Sequence, residues 1–501
     1  MSSVYFTRHQ HSKYLHLLNR VSKFVGRTHE LNQLQDCYNS PSPRLVVIKG
    51  RRRIGKSRLI YFFATRSTHT TGNTFWYFSG LAPDSKMTSQ TQRDHFSRQL
   101  AAHLNQPACY FTDWFDAFCY LGQHSRPGDI ILFDEISWMG DKDPSFIPKL
   151  KAWWDQHFHR IMLIFCGSVS TWIEKNILNS TAFFGRVSLT LTLGVLSIAE
   201  SNDLLRTRGF QASDYDTYKL LCVLGGIPWY LEQIGPGQTA DYSITRLCFS
   251  KDGLLATEFD RMFHDLFNSK HQQYKALLHR VSNGMTSLAT LRDSVPDATR
   301  TLSTRMDHLI TAGFVQKQVL WSFKTQKPLK QTLYRLSEPY TRFYLKVIEP
   351  NRHKLNTDLF KTKQITSLPG YDAHIGLQLE YLLLQNEAQL IQAIGIHPAD
   401  IIASGPFRQT GTKAGCQIDF LIQTTTRTLF ICEFKFKQHE LDSLIIAQVQ
   451  KKINSLKVPR GFAKIPVLFH ISDVTAAVAT QHYFYRIINI ADFLRADCVS
   501  V

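Results

Sequence analysis

Arg44-Leu-Val-Val-Ile-Lys-Gly-Arg-Arg-Arg-Ile-Gly-Lys-Ser-Arg-Leu59 decides how the rest of this 501-residue sequence is read. Leu45 to Ile48 is a short, apolar, largely β-branched run of the kind that forms a buried strand. Gly50-Arg51-Arg52-Arg53-Ile54-Gly55-Lys56-Ser57 then satisfies G-x-x-x-x-G-K-[ST] at every fixed position, and Arg58 leads into a helix-like apolar stretch. Each residue type has a physical reason. Glycines let backbone N–H groups wrap a phosphate, and the helix that starts there adds a favourable dipole. Lys56 is placed for the β- and γ-phosphates, and Ser57 for Mg²⁺. Strand, loop and helix together predict an ATP site running from Gly50 to Arg58, with Mg²⁺ as its companion ion.

Outward from this loop the pattern alternates. Thr74-Phe-Trp-Tyr-Phe-Ser79 reads as a strand and 92–104 as a helix. Gly128-Asp-Ile-Ile-Leu-Phe-Asp134-Glu135 is an apolar strand ending in two carboxylates. A buried strand exposes acids only at its end, so Asp134 is placed for the metal and Glu135 for polarising the attacking water. Ile161-Met-Leu-Ile-Phe-Cys-Gly167-Ser168 is the next apolar strand, and it too ends in a polar residue. Strands alternating with helices over 24–195 predict a three-layer α/β domain on a parallel sheet.

Several of these segments resemble parts of AAA+ and STAND-type ATPases. Phe24-Val-Gly26-Arg27-Thr-His-Glu30-Leu31, ahead of the loop, is similar to the segment that lies along the adenine. The resemblance makes Ser168 a sensor-1 candidate for the γ-phosphate, with a helix N-cap as its other reading. Arg186, after Phe184-Gly185, is either an arginine finger or sensor, supplied in cis or by a neighbouring subunit, or a surface residue. In the helical region 196–270, Gly225-Gly226-Ile-Pro228-Trp-Tyr-Leu231 resembles the G-x-P element whose proline lies near the base at the start of a lid. Residues 274–336 read as a winged helix: helices at 274–281, 287–292 and 301–312, then two wing strands carrying Lys324, Lys327 and Lys330. Arg300, Arg305 and that basic wing suit duplex DNA, and a protein–protein spacer is the alternative use.

A second constellation closes the chain. Gln417-Ile-Asp419-Phe-Leu-Ile and Leu429-Phe-Ile-Cys-Glu433-Phe-Lys435-Phe read as neighbouring strands. Glu433 and Lys435 are two apart and share a face, while Cys432, Phe434 and Phe436 make the other face apolar. Asp419 and Glu433 are enough to hold Mg²⁺ beside a phosphodiester, and Lys435 can position water or stabilise charge. This spacing resembles the PD-(D/E)xK nucleases. That resemblance adds Glu380 as a first-helix glutamate and Gln448 as an auxiliary polar position, and the usual Pro before the Asp is absent here.

The two halves together resemble a prokaryotic, archaeal-type family of STAND/AAA+-like ATPases with a winged helix and a PD-(D/E)xK nuclease-like domain. The expected fold is α/β throughout. A lead-in (1–22) precedes the ATPase core (23–195), helical lid (196–270) and winged helix (271–350). A linker (351–370) then joins a restriction-endonuclease-like domain (371–501). The resemblance implies an ATP hydrolase whose nucleotide state controls a Mg²⁺-dependent DNA endonuclease, in defence or mobile-element biology. The alternative is a non-cleaving switch that binds DNA or a protein. Composition agrees with a nucleic-acid partner, since the net charge is +18. No run approaches the ~18 apolar residues of a membrane span. The N-terminus lacks an apolar signal core, so the expectation is cytoplasmic, with a homo-oligomer as one form. Nine scattered cysteines without a C-x-x-C pair argue for reduced thiols and against zinc.

Overall fold

Five strands rich in Val, Ile, Leu and Phe build the sheet that organises the first half of the chain. They are β1 (Arg44–Gly50), β2 (Phe75–Ser79), β3 (Ile130–Asp134), β4 (Met162–Ser168) and β5 (Val187–Leu193). All pair in parallel, in the order β2-β3-β4-β1-β5. The computed structural model describes residues 24–82, 86–156, 160–168, 171–267, 270–294, 301–357, 365–409 and 415–495. The lead-in 1–22 and Arg300 lie outside the described residues. The chain divides into two compact units, one ending at Val195 and the other beginning at Leu196.

In the first unit the longer helices are α1 (Thr28–Asn39), α2 (Lys56–Thr71), α3 (Ser89–Leu104), α4 (Trp114–His124) and α5 (Phe146–Gln156). Thr88 caps α3 by accepting from Thr91 N, and Asp113 caps α4 by accepting from Phe115 N. An aromatic cluster of Phe78, Phe96, Trp114, Phe118, Phe133, Phe146 and Trp153 forms the core beside β3. Each such ring contributes roughly 1.5–3 kcal/mol by leaving water. The order matters for chemistry: β4 separates β1 from β3, so Gly50, Ser168 and Asp134 finish at the same, C-terminal edge of the sheet.

The second unit opens with α6 (Ile198–Thr207), α7 (Asp214–Leu224), α8 (Pro228–Leu231), α9 (Ala240–Cys248), α10 (Glu258–Phe267) and α11 (His271–Val281). Next come β6 (Thr286–Ser287), α12 (Leu288–Ser294), α13 (Leu302–Thr311), β7 (Val315–Trp321), β8 (Pro328–Leu336) and α14 (Pro339–Phe343). The three strands form a small antiparallel sheet, β6-β8-β7. Then follow α15 (Tyr371–Gln385), α16 (Glu387–Ile394), β9 (Ile401–Gln409), β10 (Cys416–Thr424), β11 (Thr428–Lys435), α17 (Leu444–Ser455), β12 (Ala463–His470) and β13 (Arg486–Asn489). Their sheet, β13-β12-β11-β10-β9, is antiparallel through β9, β10 and β11 and parallel from β11 to β13.

The hairpin β7–β8 carries the three lysines that the sequence places on a wing, and one of its strand ends is packed into a core. Lys324, Lys327 and Lys330 are exposed at its tip. Trp321, however, belongs to the core under β10 and β11, and its Nε1 donates to Gln423 Oε1 at 2.8 Å. Gln423 Nε2 donates to Phe323 O at 3.2 Å, and the Phe323 and Phe407 rings are 4.9 Å apart. An apolar strand end is buried because a Trp and a Phe gain more against a sheet than in water. Among the described residues, no helix is long and apolar enough to cross a membrane.

Candidate functional sites

The first site is the turn between β1 and α2. Gly50 has no room for a side chain, since a Cβ there would meet Leu193 O at 2.8 Å. Gly55 (φ +91°) and Arg53 (φ +71°) take left-handed conformations that bend the loop. Gly55 precedes α2 without a side-chain cap, so the helix's first N–H groups point into the loop. Lys56, buried to 7% exposure, donates from Nζ to Gly50 O at 2.9 Å and Arg51 O at 3.0 Å. Arg52 lies over the Trp138 ring at 5.5 Å.

Ser57 Oγ donates to Asp134 Oδ2 at 2.8 Å, which joins the end of β3 to the loop. A hydroxyl and a carboxylate side by side are hard oxygen donors of the kind Mg²⁺ takes. Glu135 follows with φ +49°, a strained backbone that turns its carboxylate back over the sheet edge. Ser168 holds it there, with N 3.3 Å from Oε2 and Oγ 3.3 Å from Oε1. Burial raises the Glu135 carboxyl above its ordinary value, against the pull of Lys56. Arg27, buried and left-handed like Gly26, donates from Nη2 to Ile54 O at 3.4 Å and Gly194 O at 2.5 Å. Arg186 is engaged elsewhere: its Nε donates to Asp155 Oδ1 at 2.9 Å and its Nη2 to Asp155 Oδ2 at 3.2 Å. Pro228 begins α8 in the second unit.

The second site lies on the sheet of the second unit. Opposite β9, Ile418 pairs with Phe407 and Leu421 with Gly405, so Asp419 and Phe420 together face Pro406. This bulge re-aims Asp419, whose Oδ2 accepts from Phe434 N at 3.0 Å. Glu433 is 3% exposed, and its Oε1 is 2.8 Å from Lys435 Nζ. A residue the sequence reading missed completes the group. Lys452, on α17, places its Nζ 2.5 Å from Glu433 Oε2 and 3.6 Å from Asp419 Oδ1. Ile445, Val449 and Ile453 face the sheet from that helix, and their spacing turns Lys452 the same way. That buried stripe is the signal that could have found it.

Burial raises Asp419 to about 6, reinforced by the Glu433 charge and opposed by Lys452. Glu380, on α15, is pushed up to about 8, first by burial and then by Asp419, with Lys452 opposing. Gln448 lines a cavity of about 90 Å³ that also reaches Lys435 and Leu444. The two carboxylates already converge on one cation, the Lys452 ammonium, so Asp419 and Glu433 fit a divalent ion. Among the described residues, no group of three or more His, Cys, Asp or Glu side chains is placed to hold a metal.

Residues 24–234 match the family described as an ATPase domain predominantly from Archaea. This part of the chain is an archaeal-type ATPase domain. An uncharacterized protein of Methanocaldococcus jannaschii is 23% identical over 366 residues, 71% of this chain and 75% of that one. Among solved structures, the Aeropyrum pernix ORC2 protein is similar at 15% identity. The likeness covers 67% of this chain and 96% of that one, with a TM-score of 0.41. The Thermotoga maritima RuvB Holliday junction branch migration motor is similar at 14% identity, covering 59% and 90%, with a TM-score of 0.34.

Proposed function

We propose that this protein hydrolyses ATP, binds DNA, and uses its nucleotide state to govern a Mg²⁺-dependent nuclease site formed by Asp419, Glu433 and Lys435. The observation that carries the nuclease reading is the convergence of two buried acids and two lysines at the ends of β10 and β11. At the first site Lys56 and the N–H groups of the loop bind the phosphates, and Ser57 and Asp134 are the Mg²⁺ ligands. Glu135, its carboxyl raised by burial, takes the proton of a water that attacks the γ-phosphorus as ADP leaves. Ser168 keeps Glu135 aimed, and Gly26 and Arg27 shape the adenine side. Pro228 is the lid proline in this reading, and Arg186 serves as a finger only once Asp155 lets it go.

At the second site Asp419 and Glu433 are the Mg²⁺ ligands, and the bound ion supplies Lewis-acid polarisation of the phosphodiester. Lys435, held as an ammonium against Glu433, positions the attacking water and offsets the extra negative charge as water adds to phosphorus, the leaving oxygen departs and the water's proton passes to solvent. Gln448 lines the cavity beside Lys435, and Glu380 is a buried acid within the field of Asp419 and Lys452. The exposed Lys324, Lys327 and Lys330, with the net charge of +18, supply the phosphate-backbone contacts. A non-cleaving switch is the second reading. Its support is the neutralisation of Asp419 and Glu433 by two lysines, with no third acid in ligand range among the described residues.

The test is to incubate the full chain with plasmid, single-stranded DNA and RNA, with and without ATP and Mg²⁺. Wild type should cut, while Glu433→Ala and Lys435→Ala should not. Cutting that survives both substitutions overturns the site, and no cutting by any form leaves the switch reading in its place.

A further inference from the structure

The nucleotide loop is tied to the end of β5. Leu193, the last residue of β5, pairs with Gly50 of the loop, and Arg27 holds both Ile54 O and Gly194 O. Just beyond, Leu196 N donates to Gly226 O at 2.8 Å. Gly226 lies so close that a Cβ there would sit 2.2 Å from Leu196 O. Gly226 follows directly on Gly225, the C-cap of α7. Leu196 is therefore fastened to the end of α7.

Helix α7 in turn touches both flanks of the cluster. The Tyr215 ring stacks on Phe436 with centroids 4.4 Å apart and planes 7° off parallel, and Phe436 is the neighbour of Lys435. Cys222 O accepts from Gln378 Nε2 at 3.0 Å, and the same nitrogen donates to Pro339 O at 2.6 Å. Gln378 is fully buried on α15, two residues before Glu380. Tyr218 OH also donates to Ile490 O at 2.6 Å. The archaeal-type ATPase match runs to residue 234, so α7 is part of the ATPase domain although it lies in the second unit.

We propose that Tyr215 and Gln378 are positioning residues of the acid cluster, through which α7 sets Lys435 and Glu380 according to the nucleotide held at the loop. The proposal rests on the nucleotide and nuclease readings above and adds how the one regulates the other. A shift of α7 cannot be absorbed locally. A buried amide that bridges two carbonyls loses a bond if they separate, and a parallel stack slides its partner with it. A chain of packed groups is a physical basis for coupling when the ligand at one end biases it.

Hydrogen exchange on the full chain, with and without the non-hydrolysable analogue ADPNP and Mg²⁺, tests this. The analogue should slow exchange at 50–58 in wild type, Tyr215→Phe and Tyr215→Ala alike. Exchange at 428–437 and 371–385 should change several-fold in wild type and Tyr215→Phe, and not in Tyr215→Ala. Phe436→Leu removes the stack from the other side and serves if Tyr215→Ala loses its circular-dichroism signature. An unchanged response in the stack-deleted variant, or none in wild type while 50–58 is protected, overturns the proposal. An unprotected loop overturns the nucleotide reading and the coupling with it. A cluster that responds but does not cut DNA overturns the nuclease reading alone and upholds the coupling.

Discussion

Lys452→Met removes one of the two cations that hold the acid cluster. Its Nζ is 2.5 Å from Glu433 and 3.6 Å from Asp419, both nearly out of water. Breaking a buried pair by deleting one partner costs about 3–5 kcal/mol. Two features lower that figure here. Lys435 still holds Glu433 at 2.8 Å, and Asp419, already raised to about 6, can take up a proton. Protonating such a group near neutral pH costs only about 1.4 kcal/mol per unit of pH above its pKa. The expected loss is therefore about 2 kcal/mol at pH 7.5. The sign follows from linkage: the penalty belongs to the ionised form, is fullest above the folded-state value, and fades as pH falls through it. At pH 5.5 less than about 1 kcal/mol should remain. The assay is urea-dependent hydrogen exchange of peptides from 416–435, which reports this unit alone. Adding Mg²⁺ should stabilise the variant more than the wild type, because the ion no longer competes with an ammonium. Equal stability of the two proteins at pH 7.5, or a loss independent of pH, would refute the reasoning.

Glu135→Gln should lower ATP turnover at least about 100-fold while ADPNP affinity stays within about threefold, and Ser168→Ala should cost about tenfold. Steady-state turnover beside equilibrium binding checks both. Trp321→Ala should destabilise the second unit by about 3–5 kcal/mol, since it empties a core site and leaves Gln423 Oε1 without its donor. Urea midpoints of the two proteins measure it. Glu380 holds a proton up to about 8 in the folded chain against an ordinary 4.5, mainly through burial. Unfolding then releases that proton, so wild-type stability should fall between pH 5 and 8 by at most about 1.4 kcal/mol per unit, and Glu380→Gln should lack that slope. Midpoints at the two pH values decide it.

The loop from Gly50 to Ser57 and the Asp134–Glu135 pair were legible because phosphate and metal chemistry ties residue type to fixed local spacing. Glu433 and Lys435 were legible for a similar reason, since two positions on one strand must share a face. Lys452 was not, because its neighbours in space are nineteen and thirty-three residues away in sequence and only the packing of α17 brings them together. The bulge at Asp419 was hidden as well, since it depends on how β9 runs past β10 rather than on anything within either strand. For Arg186 the sequence offers a finger, a sensor or a surface group, and none of these contains Asp155, which reaches the turn before β5 from α5. The burial of Trp321 escaped for the reverse reason: lysines beside it drew attention to charge, while the ring decided where the strand went.

That buried hairpin end has a consequence for solubility. β9 is an outer strand of its sheet, and an outer strand offers a row of unpaired backbone groups to any passing chain. Pro406 interrupts that row, and the hairpin stands guard over it: Gln318 crowds Gly405, and Phe323 covers Phe407. The opposite edge, β13, is only four residues long. A segment whose sequence advertises contact with DNA thus also keeps this sheet from growing into its neighbours, and a chain trimmed of 315–336 should self-associate through β9.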